Sequence, residues 1–309
     1  QTCALPISTA FAVRGLKGSV AIGRNQPLAI DLSATTQVGD RSGSLAVKGT
    51  LDHFIDAKGA LDLQGMTGEF DAQVSGWLAA LSGLNAEVQA AALRVQAPAG
   101  KPIGVAVNAA VQLDGSAMTA QAQMTATRPA PGRDLVGWAA DPRTWVGQIV
   151  LKGVPTAPLQ RFVANTPVVL TRELGPTIDL ALSTGEGAGV DLSATSANMQ
   201  LVARATVDAA SGAMQGNGIT LQATVDPALL AAMGTTVNAP VQVSASLASL
   251  RTPPITAAGG FDASGIAFDG SLQVQPFQML NVGPQPIAFG GLTVAAKADT
   301  IGKIGRAHV

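Results

Sequence analysis

Histidine, cysteine and paired carboxylates are the side chains through which this chain could do chemistry, and the first two are scarce. The 309 residues include two histidines, His53 and His308, and one cysteine, Cys3. Nucleophilic catalysis needs a base beside the nucleophile, and a zinc site needs three or four histidine, cysteine or carboxylate ligands. His53 has no second histidine or cysteine near it in the sequence, so we predict no catalytic and no metal-binding residues.

Two carboxylates are enough for glycoside hydrolysis, so the acidic residues are the remaining catalytic candidates. Those at polar positions of alternating segments or beside turns are Asp31, Asp52, Asp62, Asp179, Asp191 and Asp208. Such positions are typical of a solvated sheet face. We therefore predict that the protein is not an enzyme, and a carbohydrate-active domain built on two paired acids stays open as an alternative.

The segment Gly185–Gly189 shares only its glycine content with a phosphate-binding loop. Such a loop continues into Lys-Ser or Lys-Thr and opens a helix, whereas here a strand-like pattern resumes at Val190. The segment is therefore predicted to be a hairpin loop, and no cofactor is expected.

The first seven and last seven residues, 1–7 and 303–309, match a translated short-read sequencing adapter. The codons CAG ACG TGT GCT CTT CCG ATC encode residues 1–7, and their reverse complement, read in frame, encodes Ile304–Val309. We therefore expect residues 8–302 to be the native part, a fragment of the kind found in metagenomic assemblies, and exclude both caps from fold reasoning. The exclusion removes Cys3 and His308.

Composition favours a sheet protein with a core of small aliphatic side chains. Hydrophobic residues make up 47% of the sequence, aromatic residues only 4%, and tyrosine is absent. The 19 Lys and Arg do not outnumber the 20 Asp and Glu, so we expect no nucleic-acid partner. The sequence has no apolar run long enough to predict a transmembrane helix.

Apolar and polar residues alternate along most of the chain, which is the period of a half-buried strand. Turn-forming residues separate these segments and favour short antiparallel connections. They are Asp114-Gly115-Ser116, Ala210-Ser211-Gly212, Asn217-Gly218 and Asp269-Gly270-Ser271. The pattern predicts an all-β fold, with a break over residues 128–143 between sheet segments 8–127 and 144–302.

A few short helices are expected beside the strands. One is predicted near residues 156–165, and another over 226–234, where Asp226 is the N-cap and Pro227 the first helical residue. A third, weaker helical pattern surrounds Trp77 to Leu84. The apolar faces of the strands must still be covered, either in a closed sandwich or barrel or by an apolar ligand in a rolled sheet, and alternation leaves both open.

Four segments carry a resemblance to a known family: Val154–Val163, Leu174–Leu180, Leu192–Leu201 and Thr220–Leu230. They resemble the AsmA-like proteins of the Gram-negative envelope, relatives of TamB and YhdP. The resemblance implies an elongated antiparallel sheet curled into an open hydrophobic groove; a β-sandwich or β-solenoid is the alternative. It also implies a periplasmic protein anchored to the inner membrane by an N-terminal segment that this sequence lacks.

Family membership would imply a non-enzymatic role in phospholipid transfer between membranes or in outer-membrane biogenesis. Phospholipid acyl chains would lie on the apolar side of the groove, and the envelope membranes would be reached through the missing anchor. The alternative is a secreted or surface-exposed β-protein with an adhesive or structural role. The candidate groove-lining residues are Val105, Val107, Val111, Leu113, Met118, Met124, Met199, Leu201, Val207, Ile219, Leu221, Val225, Val241, Val243 and Leu247.

Overall fold

A computed structural model gives the fold of most of the chain. It describes residues 11–21, 27–38, 41–53, 55, 62–81, 84–129, 138, 144–185, 189–207, 213–252, 265–280, 283 and 285–298. Both adapter-like ends therefore lie outside the described residues, as do Asp208 and the predicted turn at residues 210–212. The described residues form antiparallel strands and three short helices, which confirms the predicted all-β class.

The chain divides into two compact units between Ile149 and Val150. The strands up to this boundary are β1 (Phe11–Ala21), β2 (Leu28–Val38), β3 (Arg41–Asp52), β4 (Thr67–Ser75), β5 (Trp77–Leu81), β6 (Leu84–Ala97), β7 (Ile103–Leu113), β8 (Ser116–Ala126) and β9 (Trp145–Pro155). The boundary falls within β9, so this strand contributes residues to both units. The predicted break at 128–143 lies just before it, and only residues 128, 129 and 138 of that segment are described.

The second unit continues the antiparallel pattern. Its further strands are β10 (Thr177–Thr184), β11 (Gly189–Ser196), β12 (Met199–Val207), β13 (Met214–Val225), β14 (Val241–Arg251), β15 (Ala267–Val274), β16 (Phe277–Met279), β17 (Ile287–Phe289) and β18 (Leu292–Ala298). Strands β16 and β17 pair only with each other as a small separate sheet.

The order of the main sheet follows the chain almost without exception. It runs β1-β2-β3-β4-β6-β7-β8-β9-β10-β11-β12-β13-β14-β15-β18, with β5 paired to the free part of β6. Among the described strands, β1 and β18 stand at the two ends of this order and do not pair with each other. The sheet is therefore open, as predicted, and is not closed into a barrel.

Two predicted hairpins are present. Leu113 pairs with Ser116, and the two residues between them, Asp114 and Gly115, have φ of 46° and 85°. Positive φ at both central residues is the geometry of a type I′ turn, whose twist matches that of the flanking strands. The glycine-rich segment also joins two antiparallel strands, β10 and β11, and the Gly185 amide donates to the Gly189 carbonyl at 2.9 Å.

Two other predicted turns were wrong, because they lie inside strands. Asn217-Gly218 falls in β13 beside a shift of the β12–β13 register, and Gly218 has φ of 75°. A glycine with positive φ allows an extra residue to be accommodated as a β-bulge without ending the strand. Asp269-Gly270-Ser271 lies within β15, where the chain passes so close to Leu247 that a Cβ on Gly270 would lie 2.5 Å from the Leu247 Cδ2.

Two of the three helices occur close to their predicted positions, and the helix at Leu170–Glu173 was not predicted. A 3₁₀ helix spans Pro158–Val163, α1 spans Leu170–Glu173, and α2 spans Pro227–Ala232. The Asp226 side chain accepts a hydrogen bond from the Ala228 amide at 2.8 Å, which confirms the predicted N-cap. The helical pattern around Trp77 was misleading: these residues form β5, which pairs with the part of β6 beyond the end of β4.

Arg128 joins two loops of the first unit through hydrogen bonds to backbone carbonyls. The loops are residues 62–66, between β3 and β4, and residues 98–101, between β6 and β7. The guanidinium donates to the carbonyls of Lys101 (2.6 Å), Leu63 (2.8 Å), Gln64 (3.0 Å), Met66 (2.7 Å) and Pro98 (2.8 Å). Hydrogen bonds from a charged donor are about twice as strong as neutral ones, so this residue stabilises one end of the first unit.

Replacing Arg128 with methionine should lower the free energy of unfolding by about 2–4 kcal/mol, because several carbonyls lose a charged donor together. Urea denaturation followed by circular dichroism would measure the loss. Arg94→Met is the matched control, since Arg94 is exposed and bonds a single carboxylate across the sheet. Equal destabilisation by both substitutions would contradict the assigned role of Arg128.

Candidate apolar binding face

The strand register of the first unit gathers its apolar residues on one face of the sheet. Two neighbouring rows of this face cross β2, β3, β4, β6, β7 and β8. The rows are Leu32, Val47, Ala72, Leu93, Val107 and Ala122, and Ile30, Gly49, Phe70, Val95, Val105 and Met124. We call these two rows the first apolar face. All twelve residues are half-buried, so this surface is shielded but not sealed.

The opposite side of the same strands is polar and exposed. Asp31, Lys48, Asp71 and Arg94 lie opposite one another in a single row across β2, β3, β4 and β6. The Arg94 Nε lies 2.7 Å from the Asp71 Oδ1, and this hydrogen bond raises the pKa of the Arg94 guanidinium. The alternating charges therefore neutralise each other on the polar face, and the apolar face carries none of them.

A buried cluster covers one end of the first apolar face. Met66 and Trp138 are buried against Ile103 and Ala126, and Trp145 packs beside them. The Trp138 and Trp145 ring centroids are 5.7 Å apart, and the Trp138 Nε1 donates to the Thr127 carbonyl at 2.8 Å. Both tryptophans thus act as the core or edge plugs expected for isolated aromatic residues. The side chain of Trp77 is outside the described residues.

Strand β5 lies at the other end, where the Ser75–Gly76 segment that leads into it crosses close to β3. It contacts β2, and the chain passes Gly43 so closely that a Cβ there would collide with the Ser75 carbonyl and lie 2.6 Å from the Thr36 Oγ1. Gly76, with φ of 62°, lies on the crossing segment. Thr36 is only 1% exposed as a result, and its hydroxyl has no hydrogen-bond partner in the described structure.

The covered ends leave the middle of the strands as the accessible part of the first apolar face. Because both ends of the strands are blocked, the accessible surface continues from strand to strand, at right angles to the chain direction. An extended apolar ligand on this face would therefore cross the strands instead of lying along one of them.

The second unit has a comparable apolar row across β10, β11, β12, β13, β14, β15 and β18. Its members are Leu180, Ala194, Leu201, Leu221, Ala245, Leu272 and Val294, and we call this row the second apolar face. Exposure rises toward β18: Ala194 is buried, whereas Leu272 and Val294 are 40% and 37% exposed. This face is thus most accessible at its last two strands.

One end of the second apolar face is covered by elements outside the main sheet. Val237 and Val241 are buried there, and Val237 forms an isolated bridge with Met279 of the small β16–β17 sheet. The rings of Phe277 and Phe289, one from each strand of that sheet, have centroids 4.8 Å apart.

A polar network fixes the helices at the same end of these strands. Arg172 bonds Glu173 at 2.9 Å and Asp226 at 3.3 Å, which joins α1 to the N-cap of α2. The Asn198 amide donates to the Arg172 carbonyl at 3.0 Å and so ties the β11–β12 turn to α1.

The predicted lining residues fall into two groups, one in each unit. The half-buried members are Val105, Val107, Val111, Met118, Met124, Met199, Leu201, Ile219, Leu221, Val225, Val243 and Leu247, whereas Leu113 and Val241 are buried under the covered strand ends. The side chain of Val207 is outside the described residues. Our prediction missed β4 and β6, whose residues Phe70, Ala72, Leu93 and Val95 lie on the first apolar face; their alternation is the signal that would have identified them.

The five predicted surface acids that the structure describes make separate local contacts. Asp31 and Asp191 form ion pairs with basic residues of the neighbouring strand, Lys48 at 3.9 Å and Arg204 at 3.4 Å. Asp179 accepts a hydrogen bond from the Gly153 amide at 2.7 Å.

The two remaining described acids stabilise local backbone structure. Asp62 accepts from the amides of Gln64 and Gly65 in a turn, and Asp52 contacts the exposed His53. Over the part of the chain that the structure describes, no three His, Cys, Asp or Glu residues are close enough to hold a metal ion.

Comparisons with known proteins identify no relative: no family model, curated protein or solved structure matches this chain. The helices among the described residues are too short to span a membrane.

Gly43→Ala should destabilise the covered end of the first apolar face, because the added Cβ would collide with the Ser75 backbone. We expect a loss of about 1–3 kcal/mol in the free energy of unfolding, the usual cost of overpacking. Gly104→Ala is the matched control, since its Cβ would meet only the Gln96 carbonyl oxygen, at 3.8 Å. Thermal denaturation of both variants checks this; a stable Gly43→Ala protein would contradict the close crossing.

Proposed function

We propose that the chain is part of a periplasmic AsmA-like protein that acts non-enzymatically in phospholipid transfer between membranes or in outer-membrane biogenesis. Its apolar faces hold phospholipid acyl chains. The protein is anchored to the inner membrane. The observation that carries the proposal is the first apolar face, whose rows of apolar residues cross six strands and remain partly exposed.

Half-buried apolar rows of this length favour an apolar ligand. Each methylene group of an acyl chain moved from water onto such a surface contributes up to about 0.8 kcal/mol, and exposed valine and leucine side chains are desolvated at the same time. Binding thus removes apolar surface of both the ligand and the sheet from water. The binding is non-directional, so an acyl chain can slide along the rows without breaking any specific bond.

The distribution of polar groups is compatible with a phospholipid whose headgroup stays outside the apolar rows. Charged residues of β2, β3, β4 and β6 lie on the opposite face, so a charged headgroup finds no partner beside the apolar rows. The headgroup therefore remains in water while the acyl chains contact the sheet. Holding and releasing a lipid in this way requires no covalent step.

Site-specific photo-crosslinking tests this proposal with controls on the same strands. A benzoylphenylalanine at Val107 or Leu221, on the apolar faces, should crosslink to phospholipid when the protein is expressed in Gram-negative cells. The same residue at Ala106 or Thr220 points to the other face, because neighbouring residues of a strand alternate. Mass spectrometry of the crosslinked protein would identify the lipid.

Lipid adducts at Val107 and Leu221 but not at Ala106 and Thr220 are the expected result. Equal crosslinking from both faces would indicate non-specific adsorption, and adducts from neither face would contradict the proposal. Protein yield and circular dichroism of each variant show whether the sheet has formed.

A further inference from the structure

The polar side of each unit carries a concavity of about 460 Å³; amide and hydroxyl groups dominate the lining in the second unit, whereas in the first unit they share it with alanines. This volume falls in the range of small-ligand sites, about 300–1,000 Å³. Most lining residues belong to the polar rows, so both concavities lie on the side opposite the apolar faces. The polar side of each unit therefore has a concave region of a size that could hold a small ligand.

The concavity of the second unit is formed by the ends of β11 to β14 and the residues after β15. Gln200 and Gln222 lie opposite each other on β12 and β13, and Gln222 lies opposite Ser244 of β14. Gln242 and Gln275 lie beside them, and the Gln275 backbone N–H donates a hydrogen bond to the Gln242 backbone carbonyl at 2.9 Å. The side-chain amides of these glutamines make no hydrogen bond within the described structure, so their donors and acceptors are available.

The concavity of the first unit also has side-chain amides, but most of its lining is apolar. Asn108 and Gln121 lie opposite each other on β7 and β8, and Gln73 contributes from β4. Ala92 lies between Gln73 and Asn108 in the same row, so the middle of the site is small and apolar. Side-chain amides thus lie on both sides of Ala92, which we call the alanine floor of the site.

Charge is excluded from both concavities although it is common elsewhere on the same face. None of the residues that line either concavity is ionisable. The ion pairs Asp191–Arg204 and Asp269–Lys297 of the second unit lie farther along the strands, outside the lining. A charged ligand would find no counter-ion in either site, whereas a neutral ligand with many hydroxyl groups would find both donors and acceptors.

We propose that these two concavities bind neutral oligosaccharide. Side-chain amides both donate and accept hydrogen bonds, as sugar hydroxyls do, and the alanine floor provides apolar contact for the C–H face of a sugar ring. The binding is non-catalytic, because the sites contain no carboxylate pair. This inference is independent of the proposed lipid function, since it uses the opposite face of the sheet.

Titration of the intact chain with maltohexaose, cellohexaose and chitohexaose tests the proposal, with saturation-transfer NMR and calorimetry as readouts. We expect at least one of these neutral oligosaccharides to bind with a Kd of about 1 mM or tighter. Asn108→Ala with Gln121→Ala should weaken binding at the first site, and Gln222→Ala with Gln242→Ala at the second. Each pair should cost about fivefold or more in affinity at its own site, because neutral hydrogen bonds are lost.

Matched controls lie on the same polar rows but outside the concavities. Gln123→Ala, two residues beyond Gln121 on β8, and Gln273→Ala, opposite Ser244 on β15, should leave the affinity unchanged. The proposal is overturned if none of the three oligosaccharides binds, or if the control substitutions weaken binding as much as the site substitutions do. Unchanged thermal unfolding of each variant shows that any loss is local, and lipid crosslinking on the apolar faces is unaffected by either outcome.

Discussion

Strand register is the constraint on which the rest of this structure depends. Side chains alternate between the two sides of a strand, so a shift of one residue in any pairing would move its valines and leucines to the polar face. The observed register keeps Leu32, Val47, Ala72, Leu93 and Val107 in one row across five strands. The same register places Asp31, Lys48, Asp71 and Arg94 in a row on the other side, where their charges alternate in sign. Apolar burial and charge pairing therefore favour the same register.

Periodicity was sufficient to predict many of the strands, because alternation indicates which side of a strand is buried, and that signal lies within a few consecutive residues. The Asp114-Gly115 turn and the Asp226 N-cap were predictable for the same reason, since both are local devices. Asn217-Gly218 shows the limit of local reasoning: the dipeptide that makes a hairpin turn also makes a bulge, and only the neighbouring strands decide between them. Strand β5 was missed because its conformation depends on the unpaired part of β6, which is a tertiary effect.

The apolar positions of the candidate site were predictable from the sequence, but the limits of its accessible part were not. Alternation identified apolar positions such as Val107 and Leu221, but the coverage of the strand ends depends on contacts between residues far apart in sequence. Trp138 and Met66 meet at one end, and Gly43 admits the β5 crossing at the other. Arg128 was assigned to a loop, and nothing in its sequence neighbourhood indicates that it bonds carbonyls of two distant loops. These contacts cover the ends of the strands and so define which part of the apolar face is accessible.

The bulge at Gly218 has a consequence for how such a sheet can change during evolution. Before the bulge, even-numbered residues of β13 such as Gly216 lie opposite Ala205 on the apolar side, and after it odd-numbered residues such as Leu221 take that side. An inserted or deleted residue inside a regular strand would invert every side chain beyond it, but here the extra residue has been absorbed. Bulges of this kind restore the alternation of side chains beyond the extra residue. A strand can therefore gain or lose a single residue without exchanging its apolar and polar sides.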